Sequence, residues 1–516
     1  MLDILIKNGT VIDGTGSPAK KLDVAIEKGR LVELAPNIKS SAVVVIDASR
    51  KYVAPGFIDI QSHSDSYWTI FDQPGQSSML SQGITTAVLG NCGSSLAPLV
   101  SAESIKTIQK WHDLSGININ WTTFGEFLNV LSNQQLGVNV GSLVGHATIR
   151  RGILGDDIRQ VTDDELKALE KLTANSLEQG ALGLSFGLVY SHEVNSSAKE
   201  LEVLTALLKA QNKYLSVHLR SESAGILESV DEVIALAKMA GVAVKISHLK
   251  IRDAANWHLF DLLINKLETA YHQGVKISFD VYPYDTSWSV LYTYLPKWAY
   301  EGGRDGLLKN IADPNQRRKI LDYLRGANFN FSKIIIASSA GESLIGKTIA
   351  EIAANQSVSA AEAILNVLSI STQAIVFDHN LSQEQVEILC ASPLSMIATD
   401  GAGYDTKQRN LVHPRCFGTM PRFLKLVNQN KLMNWEYAIK KITGEPANLL
   451  GLADRGNLAK NSAADVVIFD PNTIGDRADY TNPDLLSEGI EWVITNGKVS
   501  FKNGEVTGLN GMVVKR

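Results

Sequence analysis

Four side chains able to bind a metal each end a short apolar run in this sequence. The runs are GFIDIQSH, TTAVLGNC, YLSVH and VAVKISH, which end at His63, Cys92, His218 and His248. Asp400 ends LSMIATD in the same way. Side chains at the carboxyl ends of barrel strands converge on one cavity, so this pattern predicts a shared site. Sulfur with imidazole favours zinc, and a neighbouring carboxylate favours hydrolysis.

Each of these residues also has an ordinary structural interpretation. A lone histidine at a strand end is more often a satisfied polar residue than a ligand. Cys92 alone could be a buried thiol, and Asp400 alone could open a turn. However, His218 and His248 are thirty residues apart, one strand-and-helix unit, which predicts neighbouring strands. Four such residues together favour a metal site, in which Asp400 would accept a proton from water and donate it to a leaving group.

At one position the chain lacks a histidine that would form a chelating pair with His63. Two residues before His63, where a second histidine would complete a His-x-His pair, the chain has Gln61. An amide oxygen is a poor replacement for imidazole on zinc. We therefore expect any metal position that uses His63 to be weak or absent.

The composition is that of an ordinary globular protein. The 516 residues are 45% hydrophobic and 20% charged, with a net charge of −5, which gives no reason to expect nucleic acid or an anionic membrane as a partner. Three scattered cysteines are too few for a disulfide framework and fit a reducing compartment. With no apolar run long enough to cross a bilayer and no signal-peptide pattern, the sequence predicts a cytoplasmic protein.

The two ends of the chain have the same strand-and-turn pattern. Residues 1–54 contain alternating apolar runs separated by Asn-Gly and Lys-Gly turns, and residues 452–516 repeat the pattern in ADVVIFDP and EWVITNGKVSFKNGEV. Such turns are typical of hairpins. We predict one small β-sandwich or barrel domain built from both termini, although two unrelated hairpins are the alternative.

Between the ends, residues 55–451 alternate short apolar runs with helical stretches, which predicts parallel βαβ units. Eight candidate strands can be counted, the number of a TIM-type barrel: FIDIQSH, TTAVLGNC, GSLVGH, ALGLSF, YLSVH, VAVKISH, VKISFDVY and SMIATD. The interval before the last strand is too long for one crossover. It predicts an inserted subdomain at about residues 286–350 that could act as a lid.

A series of motifs occurs in order over nearly the whole chain: PGFID, GNCGSSLAP, SLVGHATIR, GLSFGLVY, VHLRSES, ISHLK, DVYPY, HPRCFGTMPR and PANLLGLADRGNLAKNSAADVVIFDP. With these motifs the sequence resembles the D-aminoacylase group, the N-acyl-D-amino-acid deacylases of the amidohydrolase superfamily. The resemblance implies a distorted (β/α)8 barrel with a small β-domain from both termini, which agrees with the pattern of strands and helices.

The resemblance also implies roles for individual residues. A tight zinc site would use Cys92, His218 and His248, and a weak second site would use His63 with Asp400. The substrate carboxylate would be held by three further residues, Lys250, Tyr282 and Arg415. A guanidinium is well suited to that task because it binds a carboxylate through two parallel hydrogen bonds.

The sequence therefore predicts a zinc hydrolase that cleaves an N-acyl-D-amino acid, a small molecule, into a carboxylate and a free D-amino acid. Two alternatives remain open. One is a hydrolase of cyclic amides such as hydantoins or dihydropyrimidines, although these relatives normally require the complete histidine pair. The other is a binding or regulatory protein in which Gln61 has weakened or abolished catalysis.

Overall fold

The computed structural model describes residues 1–100, 117–155, 157–327, 329–405 and 410–516. The strands are β1 (Leu2–Val11), β2 (Lys20–Glu27), β3 (Arg30–Ala35), β4 (Ala42–Asp47), β5 (Tyr52–Pro55), β6 (Phe57–Asp59), β7 (Ile84–Leu89), β8 (Asn139–Ser142), β9 (Val144–Gly145), β10 (Gly183–Gly187), β11 (Tyr214–His218), β12 (Val244–Ile246), β13 (Ile277–Val281), β14 (Ser287–Val290), β15 (Ile334–Ser338), β16 (Ile375–Asp378), β17 (Ser395–Ile397), β18 (Val466–Phe469), β19 (Ile490–Thr495), β20 (Lys498–Lys502) and β21 (Glu505–Val506).

The α-helices are α1 (Thr69–Asp72), α2 (Ser77–Leu80), α3 (Phe124–Ser132), α4 (His146–Leu154), α5 (Asp163–Glu178), α6 (Ala198–Ala210), α7 (Ile226–Ala240), α8 (Phe260–His272), α9 (Gly303–Ala312), α10 (Pro314–Gly326), α11 (Ile349–Gln356), α12 (Ala360–Ile370), α13 (Gln383–Ala391), α14 (Arg415–Asn430), α15 (Trp435–Ile442) and α16 (Gly444–Leu450). Several begin with the capping residues expected from sequence. Thr162, for example, accepts a hydrogen bond from the backbone N–H of Glu165 at the start of α5.

The central unit is a barrel of parallel strands. Strands β6, β7 and β8 pair in that order, and β9, β10, β11, β12, β13 and β17 pair in a second run. Leu143 alone separates β8 from β9, so these two segments form one barrel position. Each of the eight runs counted in the sequence supplies one position of the barrel. The predicted fold class is therefore confirmed for this part of the chain.

The barrel is closed where its first and last strand positions meet. The backbone N–H of His63 donates to the carbonyl of Gly401 at 2.7 Å, and Ser62 forms a parallel bridge with the same residue. Asp59, which is fully buried, accepts hydrogen bonds from the backbone N–H of Thr399 at 2.9 Å and from its hydroxyl at 2.5 Å. These contacts hold the ends of β6 and β17 together.

Both termini build a second sheet of nine strands, as the fold prediction required. Its order is β21, β20, β19, β18, β5, β1, β2 and β3, with β4 also paired to β1. The antiparallel pair β5–β18 joins the amino-terminal and carboxyl-terminal strands. A separate apolar cluster that includes Val53, Val466 and Ile468 forms its core.

An inserted subdomain lies between β13 and β17. It contains the three-stranded sheet β14–β16–β15, and its apolar core includes Leu291, Leu324, Ile364 and Val376. It extends to Asp378, further than the end near residue 350 expected from sequence. The reason is that the central strand of its sheet, β16, is the last to occur in the chain.

Among the helices of the described residues, none has the length and apolar character needed to cross a membrane.

The closure of the barrel can be tested through Thr399→Val. This change removes the hydroxyl that donates to Asp59 and accepts from the backbone N–H of Gly401. Because a buried carboxylate then loses a partner, we expect the free energy of unfolding to fall by about 1–3 kcal/mol. Denaturant titration measures the loss. Thr85→Val is the control, because the Thr85 hydroxyl is buried with no hydrogen-bond partner among the described residues; equal stability losses in the two variants would contradict the role of Thr399.

Candidate metal centre and active site

The predicted ligand residues lie at the carboxyl ends of the barrel strands. His218 is the last residue of β11, whereas His248 follows β12 by two residues and Cys92 follows β7 by three. The backbone φ is 53° at Cys92, 37° at His248 and 47° at Asp400, all in the left-handed region. This conformation costs a non-glycine residue about 1–3 kcal/mol and is characteristic of functional sites. Each of these three strand ends therefore turns sharply at a residue predicted to do chemistry.

Cys92, His218 and His248 form one cluster. Their potential ligand atoms all lie within 4.8 Å of one another, and Cys92 Sγ is 3.4 Å from His248 Nε2. Burial raises the pKa of the Cys92 thiol, but His248 and hydrogen bonds from both histidines lower it well below its usual value. A thiolate and two imidazoles leave one position of a tetrahedral zinc site open for water. The donor set thus fits a catalytic metal.

His63, Cys92 and Asp400 form a second, overlapping cluster within the same 4.8 Å limit. His63 Nε2 is 3.1 Å from Asp400 Oδ1 and 3.8 Å from Cys92 Sγ. Burial raises the pKa of Asp400, but Arg415, His248 and His63 hold it well below its usual value. These contacts favour the carboxylate form of Asp400 over the protonated acid.

Gln61 lies beside these clusters and is fully buried. Its amide nitrogen donates to Cys92 Sγ at 3.1 Å, and its amide oxygen accepts from Lys245 Nζ at 2.6 Å. The side chain thus occupies the place expected for a second histidine, but it directs an N–H group toward the sulfur.

The three residues predicted to bind a carboxylate also face the site. Arg415 donates from Nη2 to Asp400 at 2.7 Å, and its guanidinium lies 4.5 Å from the centre of the Tyr282 ring. Within the described part of the chain, Arg415 Nε and Nη1 and the Tyr282 hydroxyl are buried without a hydrogen-bond partner. Lys250 differs, since its ammonium is already bound to Glu222 at 2.5 Å. The free donors belong to Arg415 and Tyr282.

Glu222 is a site residue that sequence reasoning missed. Its carboxylate is 3.0 Å from His248 Nδ1 and 3.8 Å from His218 Nε2. Burial raises the pKa of Glu222, but Lys250 and the histidines lower it well below its usual value. A neutral His248 with Nε2 free carries its proton on Nδ1, which lies 3.0 Å from Glu222 and 2.9 Å from the Lys250 ammonium. The Glu222 charge favours this form and the Lys250 charge opposes it. The position of Glu222 four residues after His218, in VHLRSES, was the available clue.

A cavity of about 1010 Å³ opens over the two clusters. Barrel residues form its floor, and the inserted subdomain contributes walls that include Trp288, Tyr300 and Ser339. His146 lies elsewhere, buried between Glu193 and Glu200 at 2.7 and 2.8 Å. The cavity is large enough for a small organic substrate to reach both clusters.

Comparisons with known proteins identify the family of the chain. A model of the Amidohydrolase family matches residues 44–261 and 406–501. The chain is 31% identical to an N-acyl-D-glutamate deacylase of Alcaligenes xylosoxydans xylosoxydans, an alignment that covers 100% of this chain and 97% of the relative. These values demonstrate common ancestry over the full length.

Two solved structures are similar over 100% of both chains. One is an N-acyl-D-glutamate deacylase from Bordetella bronchiseptica in complex with zinc and a phosphonate that mimics the tetrahedral intermediate, with 30% identity and a TM-score of 0.85. The other is a D-aminoacylase with a binuclear metal centre, for which one-metal activation and second-metal attenuation are described, with 28% identity and a TM-score of 0.84. The barrel and the terminal sheet are thus shared with metal-dependent deacylases.

Glu222→Gln tests whether Glu222 orients a metal-binding histidine. The amide keeps the shape of the side chain but loses the negative charge that favours the Nδ1–H form of His248. We expect roughly 10–100-fold weaker zinc binding. Competition with a chromogenic chelator measures the affinity. Glu228→Gln, an exposed residue near the start of α7, is the charge-matched control, and unchanged zinc affinity in Glu222→Gln would exclude this role.

Proposed function

Because the chain belongs to the N-acyl-D-amino-acid deacylases of the amidohydrolase family, we propose that it hydrolyses the linear amide of an N-acyl-D-amino acid. The products are a carboxylate and a free D-amino acid. The observation that carries the proposal is the juxtaposition of the cluster Cys92, His218 and His248 with the Asp400 carboxylate in one cavity. The proposed partner is a small molecule.

We assign zinc to Cys92, His218 and His248, whose donor set matches the ion's preference for sulfur and imidazole. When bound, zinc supplies Lewis-acid polarisation of the amide carbonyl and lowers the pKa of a water molecule. His63 and Asp400 remain as a weak second position. The three free cysteines are consistent with the cytoplasmic location expected from sequence.

Asp400 is the proposed proton carrier. It accepts the proton that the attacking water loses as the new C–O bond forms. It then donates that proton to the amide nitrogen, so that the C–N bond breaks with a neutral amine as leaving group. Its contacts with Arg415 and His63 hold the carboxylate in one orientation at the floor of the cavity.

Arg415 and Tyr282 are proposed to bind the substrate carboxylate. The guanidinium offers Nε and Nη1 while Nη2 remains on Asp400, and the Tyr282 hydroxyl adds a third donor. Lys250 contributes positive charge but shares it with Glu222. Recognition of the carboxylate and orientation of the proton carrier thus depend on the same guanidinium.

The cyclic-amide alternative is not favoured, because the similar proteins described above act on N-acyl-D-amino acids. The inactive alternative is not favoured either, since a complete set of three ligands and a proton carrier is present. A panel of N-acyl-D-amino acids, their L-isomers and cyclic ureides tests the proposal. We expect turnover of D-isomers alone, and hydrolysis confined to the rings would refute it.

Asp400→Asn removes the proton acceptor but keeps the shape of the side chain. We expect the turnover number to fall roughly 10²–10⁴-fold, the usual contribution of a positioned acid–base group. The protein should still carry zinc on Cys92, His218 and His248. Steady-state kinetics and metal analysis measure both properties. Asp322→Asn, an exposed change in α10, is the control; full turnover in Asp400→Asn would remove the residue from the mechanism.

Arg415→Lys keeps the charge but replaces the planar fork by a single ammonium. We expect KM for the N-acyl-D-amino acid to rise roughly tenfold or more, because charge-assisted hydrogen bonds to the carboxylate are lost. Because Arg415 also contacts Asp400, turnover should fall for an N-acyl amine without the carboxylate as well, but the preference of the enzyme for the acid over the amine should shrink. Arg422→Lys is the control in the same helix, where the arginine binds Asp476 instead. An undiminished preference for the acid over the amine would contradict the assignment.

A further inference from the structure

We propose that Lys245 is a positioning residue that, through Gln61, closes the second metal position and restricts the site to one ion. This inference rests on the metal ligands of the proposed function. It concerns a residue inside the barrel that no step of the proposed reaction uses.

Lys245 lies in the middle of β12 and is completely buried. Its ammonium donates to Gln61 Oε1 at 2.6 Å and to Asp280 Oδ2 at 2.5 Å, and Asp280 is also completely buried. A buried ammonium must be paired and hydrogen-bonded because its desolvation is costly. Gln61 is therefore a required partner of Lys245 and does not merely fill space.

The hydrogen bonds accepted by the Gln61 amide oxygen fix the direction in which the amide nitrogen points. The oxygen, the only atom of the side chain able to bind a metal, accepts from Lys245 and from the Ser247 hydroxyl at 3.2 Å. The amide nitrogen is consequently turned toward Cys92 Sγ, to which it donates at 3.1 Å. An amide N–H cannot ligate a metal, and its hydrogen bond occupies an acceptor site on the thiolate that a bridging sulfur would need.

Metal binding at the second position is also disfavoured by the contacts of Asp400. Asp400 is bound by Arg415 at 2.7 Å, and Gln61 offers no ligand. An ion there would have His63, Cys92 and Asp400 as its protein ligands, with the sulfur already accepting from Gln61 and the carboxylate already paired with Arg415. The Arg415 charge opposes a second divalent cation beside Asp400, whereas the cluster of Cys92, His218 and His248 keeps all three of its donors.

The same lysine supports the first position. Asp280, its ion-pair partner, accepts the backbone N–H of His248 at 2.9 Å through its other oxygen. That contact holds His248 in its left-handed conformation, with φ of 37°. Lys245 thus positions Cys92 through Gln61 and His248 through Asp280.

This arrangement makes a specific prediction about Gln61→His. An imidazole at position 61 must accept a hydrogen bond from Lys245 on one nitrogen, so restoring the histidine does not restore a ligand. A second ion should bind only when Lys245 is also removed. The test uses Gln61→His, Lys245→Met, the double variant, and Lys441→Met as control, because Lys441 is a buried lysine that donates to the Ser392 carbonyl away from the site.

Each full-length protein is freed of metal and titrated with cadmium, and the thiolate-to-cadmium absorption and the bound metal per chain are recorded. We expect saturation at one ion in the wild type, Gln61→His and Lys441→Met. The double variant should bind a second ion, with an affinity for that ion roughly 10–100-fold higher than for any second ion in the wild type. Tight binding of two ions by the wild type or by Gln61→His alone would overturn the inference.

The outcomes separate this inference from the proposed function. A wild type that binds no ion refutes both. A wild type that binds one ion but hydrolyses no N-acyl-D-amino acid refutes the proposed reaction and leaves the role of Lys245 intact. A folded double variant that still saturates at one ion refutes the role of Lys245. If the double variant fails to fold, the stoichiometry of Gln61→His decides, because that protein keeps the buried ion pair.

Discussion

The ion pair between Lys245 and Asp280 is the constraint on which the floor of the site depends. Both side chains are completely buried inside the barrel, where an unpaired charge would cost several kcal/mol. Every atom that satisfies the pair is therefore held in place. The partners are Gln61 on the loop after β6 and the backbone of His248 after β12, while Asp280 itself belongs to β13. One electrostatic requirement therefore links β6, β12 and β13, and each ligand cluster takes one residue from the ends of these strands, His63 after β6 and His248 after β12.

Backbone strain is a second feature that several strand ends of the site share. Cys92, His248 and Asp400 all have positive φ although none is glycine. Such a conformation persists only where surrounding contacts outweigh its cost. Near Asp400 those contacts are the hydrogen bonds of Thr399 to Asp59 and the bridge between Ser62 and Gly401. The same interactions therefore close the barrel and position Asp400.

The sequence predicted the parts of the site that depend on local pattern. Eight apolar runs gave the eight barrel positions, and residues at their ends gave both clusters, because strand ends in a barrel must converge. It could not predict the orientation of Gln61, which depends on Lys245 from a distant strand. In VAVKISH the lysine alternates with apolar residues, a pattern that equally suits a solvent-facing side chain. The extent of the insertion was also missed, since its central strand β16 follows two helices and pairs with strands far earlier in the chain.

Arg415, which is proposed to bind the substrate carboxylate, contacts both the barrel and the insertion. The guanidinium of Arg415 lies 4.5 Å from the Tyr282 ring and 5.3 Å from the Trp288 ring, so it is held between barrel and insertion. Tyr67 in turn stacks on Trp288 with ring centres 5.1 Å apart. Cation–π contacts fix the plane of a guanidinium without using its N–H groups. Arg415 Nε and Nη1 therefore have no hydrogen-bond partner among the described residues, although Nη2 donates to Asp400, while Tyr282 and Trp288 set the orientation of the guanidinium. An arginine held only by hydrogen bonds would have consumed the donors that a substrate carboxylate requires.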